Sequence, residues 1–170
     1  MKIKDVMTRD AQVCTPETNL AAVAMIMWEN DCGSVPVRHT DCKVIGMITD
    51  RDICMAVATK HRSASEITVG EVFSGNLYAC TPHDDVRDAL KIMKAEKVRR
   101  LPVISANGIL EGIVSMNDIV RHAEDARGRK MPELSYEDVV NTLKEICAHR
   151  RGVTTRVEQQ GAAERVPCAV

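Results

Sequence analysis

Aromatic side chains are nearly missing from this chain: they make up 2% of its 170 residues, with one Trp, one Phe and two Tyr. Single-stranded nucleic acid is held by stacking its bases on aromatic rings along a basic groove, so that mode of binding has no platform here. A charge excess is missing too. The formal net charge is −1, which gives no bulk attraction to nucleic acid or to an anionic membrane. No apolar run approaches the roughly 18 residues of a membrane-spanning helix, and the Met1-Lys2 start lacks the apolar core of a secretory signal. Seven cysteines (Cys14, Cys32, Cys42, Cys54, Cys80, Cys147 and Cys168) form no Cys-x-x-Cys pair and are odd in number, which speaks against a disulfide framework and against a spaced zinc site. The five histidines (His39, His61, His83, His122, His149) show neither His-x-x-x-His nor His-Glu-x-x-His spacing. The expectation is a non-enzymatic protein of the reducing cytoplasm, without nucleic acid or membrane as partner and without a metal.

What the chain does have, within an ordinary globular composition of 45% hydrophobic and 28% charged residues, is an internal repeat. Gly46-Met47-Ile48-Thr49-Asp50-Arg51-Asp52-Ile53 returns as Gly112-Ile113-Val114-Ser115-Met116-Asn117-Asp118-Ile119, an offset of 66 residues from Asp52 to Asp118. The same offset, with no gap, matches Val6 with Val72, Cys14-Thr15-Pro16 with Cys80-Thr81-Pro82, Ile26-Met27 with Ile92-Met93, and Pro36-Val37 with Pro102-Val103. Two copies of this length are too few for a solenoid. They describe a duplicated supersecondary unit that needs its partner to bury a core.

Each copy predicts β-α-β-β-α. Gln12-Val13-Cys14 and Tyr78-Ala79-Cys80 read as brief strands stopped by Thr-Pro, because proline holds the preceding residue extended. In the helix that follows, Leu20, Val23, Ala24 and Met27, and likewise Val86, Ala89, Leu90 and Met93, fall at i, i+3, i+4 and i+7, one apolar stripe per helix. The Pro-Val segments read as strands whose proline favours an edge. Asn107-Gly108 is a good hairpin signal and Asp41-Cys42 a poor one. After the glycine-bearing strands (43–48 and 109–114) comes a second helix, with Ile53 and Val57, or Ile119 and Ala123, facing inward. The fold class expected is α/β (α+β): two such units, residues 1–61 and 66–126, related by approximate twofold symmetry. Residues 58–66 read as a polar connector. Residues 132–149 carry an accessory helix capped by Ser135, with Glu137 and Asp138 in its first turn and Val139, Leu143 and Ile146 on one face. Residues 150–170 read as a flexible tail.

The repeated turn suggests chemistry. A helix N-terminus offers unpaired N–H groups and the positive end of the helix dipole, so Thr49 and Ser115 stand where a phosphate would be welcome, and Asp52 and Asp118 could accept sugar hydroxyls. The same Thr-x-x-Asp and Ser-x-x-Asp spacing also describes a plain capping box. Cys14 and Cys80, at equivalent places, read as small buried residues rather than a redox pair.

The residues from about 2 to 123 resemble a known family, the tandem cystathionine-beta-synthase (CBS) domain pair or Bateman module, in its stand-alone bacterial form. The resemblance rests on Val6-Met7-Thr8, Thr15-Pro16 and Thr81-Pro82, the Pro-Val strands, and the Gly-x-x-Thr/Ser-x-x-Asp turn in both copies. It implies a regulatory module for energy or metabolite sensing that binds an adenine-containing ligand (AMP, ADP, ATP or S-adenosylmethionine) between the two units, with no required cofactor. Carried over, Asp52 and Asp118 hold ribose hydroxyls, Thr49 and Ser115 touch phosphate, and Val35, Leu101 and the Thr15 and Thr81 loops line the base pocket. Arg99 and Arg100, where the first copy has Gly33-Ser34, are the phosphate-contacting candidates, with Arg51 and its counterpart Asn117 beside them. The expectation is therefore that the second copy, around Asp118, dominates phosphate recognition. The family also implies a homodimer and an effector protein that the sequence does not name; the alternative is a ligand-free dimerisation scaffold.

Overall fold

The apolar stripe of each long helix becomes one side of a small core. In the computed structural model, which describes residues 1–124 and 132–148, helix α1 (Leu20–Glu29) buries Leu20, Val23 and Met27 and helix α3 (Val86–Glu96) buries Val86, Ala89, Leu90 and Met93. Ala24, expected on the first stripe, faces solvent. Asn19 caps α1 by accepting a hydrogen bond from the Ala22 N–H at 2.9 Å, and Asp85 caps α3 through the Arg87 N–H at 3.0 Å.

Each helix packs against an antiparallel hairpin: β1 (Ser34–Arg38) with β2 (Val44–Thr49), and β3 (Arg100–Ile104) with β4 (Leu110–Ser115). The register shifts by one residue at the same place in both, between Val37 and Arg38 and between Val103 and Ile104, so the duplication extends to the bulge. The two hairpin turns match as well. Cys42 takes the left-handed φ of 66° where Gly108 has 80°, helped by the Lys43 N–H donating to Asp41 Oδ1 at 3.2 Å. The weak turn signal thus makes the same turn as the strong one.

Three expectations need correction. The first strand of each unit is reduced to a single parallel bridge, Cys14 to Val37 and Cys80 to Val103. Proline is the reason: the Pro36 carbonyl accepts from the Cys14 N–H at 3.0 Å, but Pro36 has no N–H to offer the residue two positions earlier, and pairing stops. Second, α2 (Asp50–Lys60) runs into the supposed connector and ends at His61, in the left-handed conformation with φ 52°. Its inward residue is Ala56, while Val57 is exposed. The rest of the connector is pinned by Arg62, which donates to Glu71 Oε2 at 2.7 Å and also to the Glu66 carbonyl. Third, α4 spans only Met116–Val120.

The cores are built crosswise. Ile3 and Val6 lie in the core of the second unit, with the Ile3 N–H bonded to the Asp84 carbonyl and the Val86 N–H to the Met1 carbonyl, both at 3.1 Å. Ile67 and Val69 lie in the core of the first, with the Leu20 N–H bonded to the Ile67 carbonyl and the Val69 N–H to Thr18, both at 2.9 Å. Such reciprocity is what an approximate twofold axis produces. The hairpins also meet directly, through a bridge between Lys43 and Ile109. Helix α5 (Tyr136–Cys147) adds Val139, Leu143 and Ile146 to the second core, and the Arg87 guanidinium sits 3.5 Å from Asp138 Oδ2. His149, where the accessory helix was expected to end, and the 150–170 tail lie outside the described residues.

Candidate ligand cleft

At the end of β2, Thr49 caps α2. Its hydroxyl accepts from the Asp52 N–H at 3.2 Å and donates to Asp52 Oδ2 at 2.7 Å, while its own N–H donates to the same oxygen at 2.9 Å. Ser115 and Asp118 repeat this at 3.3, 2.6 and 2.8 Å. So do Ser135 and Asp138 in α5, outside the repeat. The capping box is therefore what these residues make in the folded chain, and its presence alone does not mark a site. What it leaves over is chemistry: among the described residues, Oδ1 of Asp52 and of Asp118 accepts no hydrogen bond.

Among the described residues, the turn of the first unit opens onto a cavity. A space of about 470 Å³ is lined by Thr49, Asp50, Arg51 and Asp52 from the first unit and by Lys97, Val98, Arg99 and Arg100 from the second, with Ser34, Met47, Ser74, Asn76 and Tyr78 around them and Ile146 and Cys147 closing one end. The pairing of Thr8 sets the second turn apart. The Thr8 N–H and carbonyl bond to Ile113 at 2.8 and 2.9 Å, sealing the edge of β4. Met47 is the counterpart of Ile113 and Ser74 that of Thr8, yet no backbone bond joins them among the described residues, and both face the cavity.

This reverses the expected pairing of arginines and aspartates. Arg99 and Arg100 belong to the same repeat as Asp118 but line the cleft of Asp52. The crossing is close: a side chain at Gly33 would come within 2.9 Å of Asp50 Oδ2 and 3.5 Å of Arg100 Nη2. The cleft thus gathers Thr49, Arg51, Asp52, Arg99 and Arg100 of the expected residues. It does not gather Thr15, Thr81, Ser115, Asn117 or Asp118, and Val35 and Leu101 are core residues with 1% and 0% exposure.

Four cations here face two carboxylates, Asp50 and Asp52, and among the described residues none of the three arginines is in an ion pair. Lys97, which sequence reasoning missed, donates from Nζ to the Ala148 carbonyl at 2.8 Å. The signal for it was the run Lys97-Val98-Arg99-Arg100, of which only the arginine pair stood out. At the equivalent positions the first unit has Asp31, Cys32, Gly33 and Ser34, so the cations are concentrated on one side of the pseudo-symmetry. The arrangement suits an anion carried on a group with sugar-like hydroxyls.

Cys14 and Cys80 are buried, and burial pushes their thiols up to about 11 and about 12. Thiols so disfavoured as thiolates are inert at neutral pH. Among the described residues, no three His, Cys, Asp or Glu side chains are grouped to hold a metal ion, and no helix is long and apolar enough to cross a membrane.

The model of the CBS domain matches residues 3–59 and again residues 69–125. The chain belongs to the CBS-domain family. It is a tandem CBS pair, similar to proteins that consist of such a pair. Hypoxic response protein 1 of Mycobacterium tuberculosis is 30% identical over 145 residues, spanning 85% of this chain and 93% of that protein. The crystal structure of Hypoxic Response Protein I with two coordinated zinc ions superimposes with a TM-score of 0.66 at 31% identity, covering 73% of this CBS pair and all of that chain. The structure of CBSX2 in complex with AMP superimposes with a TM-score of 0.60 at 25% identity, covering 71% of this chain and 93% of that one.

Proposed function

We propose that this CBS pair is a regulatory module that binds an adenine nucleotide in the cleft at Thr49 and Asp52, with the ribose on Asp52 and the phosphates on Lys97, Arg99 and Arg100. The observation that carries this reading is the meeting, in one cavity, of a carboxylate with a free oxygen and four cations drawn from both units. Its volume falls in the range of roughly 300 to 1,000 Å³ typical of small-molecule sites. Tyr78, Met47 and Val98 supply apolar surface for a base. The AMP complex of CBSX2 supports the same ligand class. S-adenosylmethionine, which carries no phosphate, fits this basic cleft less well. The module acts by binding, with no catalytic step, in the cytoplasm, and its output goes to an effector protein.

Titration calorimetry with AMP, ATP and adenosine tests the reading. AMP and ATP should bind more tightly than adenosine, and added salt should narrow the gap, since only the phosphate contacts depend on charge screening. Equal affinity for AMP and adenosine would remove the phosphate assignment.

A second reading, association into a homodimer, is favoured by a separate observation. Met25, Trp28, Met55 and Val57 leave an apolar face open on α1 and α2, with Trp28 85% exposed. The two readings are compatible.

A further inference from the structure

One wall of the basic cleft does not belong to the repeat. Ile146 and Cys147, in the last turn of α5, line the cavity, and the Ala148 carbonyl just beyond them holds Lys97 Nζ at 2.8 Å. Among the described residues, Lys97 is the one cation of the cleft whose head group is already bonded to protein. A helix C-terminus gathers unpaired carbonyl oxygens and the negative end of the dipole. Helix α5 therefore brings to this cleft the same sign of charge that a phosphate would bring, and brings it to the same lysine.

We infer that Lys97 is shared: it holds either the end of α5 or a bound phosphate, so that docking of α5 and binding of a nucleotide oppose each other. The inference rests on the nucleotide reading of the cleft and adds its regulation. Beyond Lys97, α5 is held by the stripe of Val139, Leu143 and Ile146. At its far end the Tyr136 N–H is bonded to the Glu124 carbonyl at 3.1 Å and the Glu124 N–H to the Leu134 carbonyl at 3.0 Å, and Arg87 reaches Asp138 and the Pro132 carbonyl. The Arg87–Asp138 pair is exposed, a weak kind of tie, but with the backbone bonds at the far end, the cleft end is the end free to loosen. A ligand that takes Lys97 and places negative charge beside the last carbonyls loosens the helix at its cleft end. By linkage, a helix already loosened admits the nucleotide more tightly. The output is apolar surface. Leu90 of α3 lies beside Asp138 and Thr142 of α5, in the core that α5 helps to cover. Loosening α5 bares this side of the second core and the apolar stripe of α5 itself, flanked by Lys91 and Lys94, which stand where the first unit has Met25 and Trp28.

Hydrogen–deuterium exchange on the full chain, with AMP, ATP or adenosine, tests this. Saturating AMP or ATP should speed exchange of the amides in 136–147 by roughly 5-fold or more, the size of an ordinary coupling, and adenosine should leave them unchanged. Arg87→Gln, which weakens α5 at the end away from the cleft, should tighten AMP binding by about 2- to 5-fold. Lys97→Gln should weaken AMP binding and abolish the response of α5. If AMP binds and α5 is unchanged or better protected, or if Lys97→Gln leaves the response intact, the sharing of Lys97 is wrong while the cleft reading stands. If AMP does not bind at all, both fall.

Discussion

Asp31 and Lys97 stand in the same place in the two halves of the molecule, each just past the first long helix of its unit and each left-handed, with φ 46° and 56°, and they carry opposite charge. Backbone equivalence is tight here, since the Cys32 N–H bonds to the Met27 carbonyl at 3.0 Å and the Val98 N–H to the Met93 carbonyl at 3.1 Å. Duplication has kept the shape and inverted the electrostatics, which makes the surroundings of the two capped turns unequal.

Asp52→Ala should therefore abolish most AMP binding and Asp118→Ala should have the smaller effect. A hydrogen bond to a charged group is worth roughly 1.5 to 3 kcal/mol, so each lost contact weakens binding by about 10- to 100-fold. Arg100→Ala should reduce AMP affinity far more than adenosine affinity. Calorimetry on the three variants decides this, and equal losses from the two aspartate changes would show that the cleft does not discriminate.

The two glycines of the repeated turn should differ in what they tolerate. A methyl at Gly112 would meet the Thr8 carbonyl at 2.5 Å, a backbone atom fixed by its pairing with Ile113. A methyl at Gly46 would meet the edge of the Phe73 ring at 2.9 Å, and a ring can turn. Gly112→Ala should cost about 1 to 3 kcal/mol, the usual range for overpacking, and Gly46→Ala less. Denaturant midpoints would measure the difference, and a larger cost at Gly46 would count against this account.

Alkaline pH should destabilise the fold through Cys14 and Cys80. Both thiols have folded values raised above the ordinary 9.0, so the folded chain holds these protons more tightly than the unfolded one. Their contribution is complete below pH 9 and is lost as pH climbs through 9 towards 11 and 12, at about 1.4 kcal/mol per pH unit for each thiol. Thermal melts between pH 8 and 11 should show the loss, and Cys14→Ala and Cys80→Ala should each flatten the slope. At neutral pH, alkylation should spare these two and reach the exposed Cys42, Cys54 and Cys147 first.

Trp28→Glu should leave the fold intact, because the side chain is exposed, and should dissociate a dimer seated on α1. A tryptophan at the centre of an interface is commonly worth at least about 2 kcal/mol, roughly 30-fold in affinity. Light scattering at micromolar concentration would read the mass, and a wild type that is already monomeric with and without nucleotide would end the dimer proposal.

Much of this was legible locally. Helical stripes, hairpins and caps depend on residues a few positions apart, and the stripes of α1 and α3 appear largely where the spacing put them. The site was not legible in the same way because it is assembled across repeats. Arg100 pairs with Ser115 across the hairpin and the Arg99 carbonyl accepts from the Met116 N–H at 2.9 Å, yet both arginines also line the cavity of Thr49, and only the meeting of the two units reveals that. Lys97 follows directly on a helix, and nothing in its local sequence marks it as part of a cleft. Thr8 sealing β4 while Ser74 leaves β2 open turns on two backbone hydrogen bonds, for which the side chains give no pattern. Val35 and Leu101 were placed by resemblance on a pocket wall, but their stretch of strand points into the core.

The crosswise placement of Ile3 and Val6 in one core and Ile67 and Val69 in the other has a consequence for how the chain can come apart. A fragment carrying a single copy would hold an apolar segment that fits only its sibling and a core with a vacancy that only its sibling fills. Two such fragments could each become whole by trading those segments. The tandem chain is thus a domain-swapped pair joined by a covalent linker, and its two halves should fold and unfold as one cooperative body.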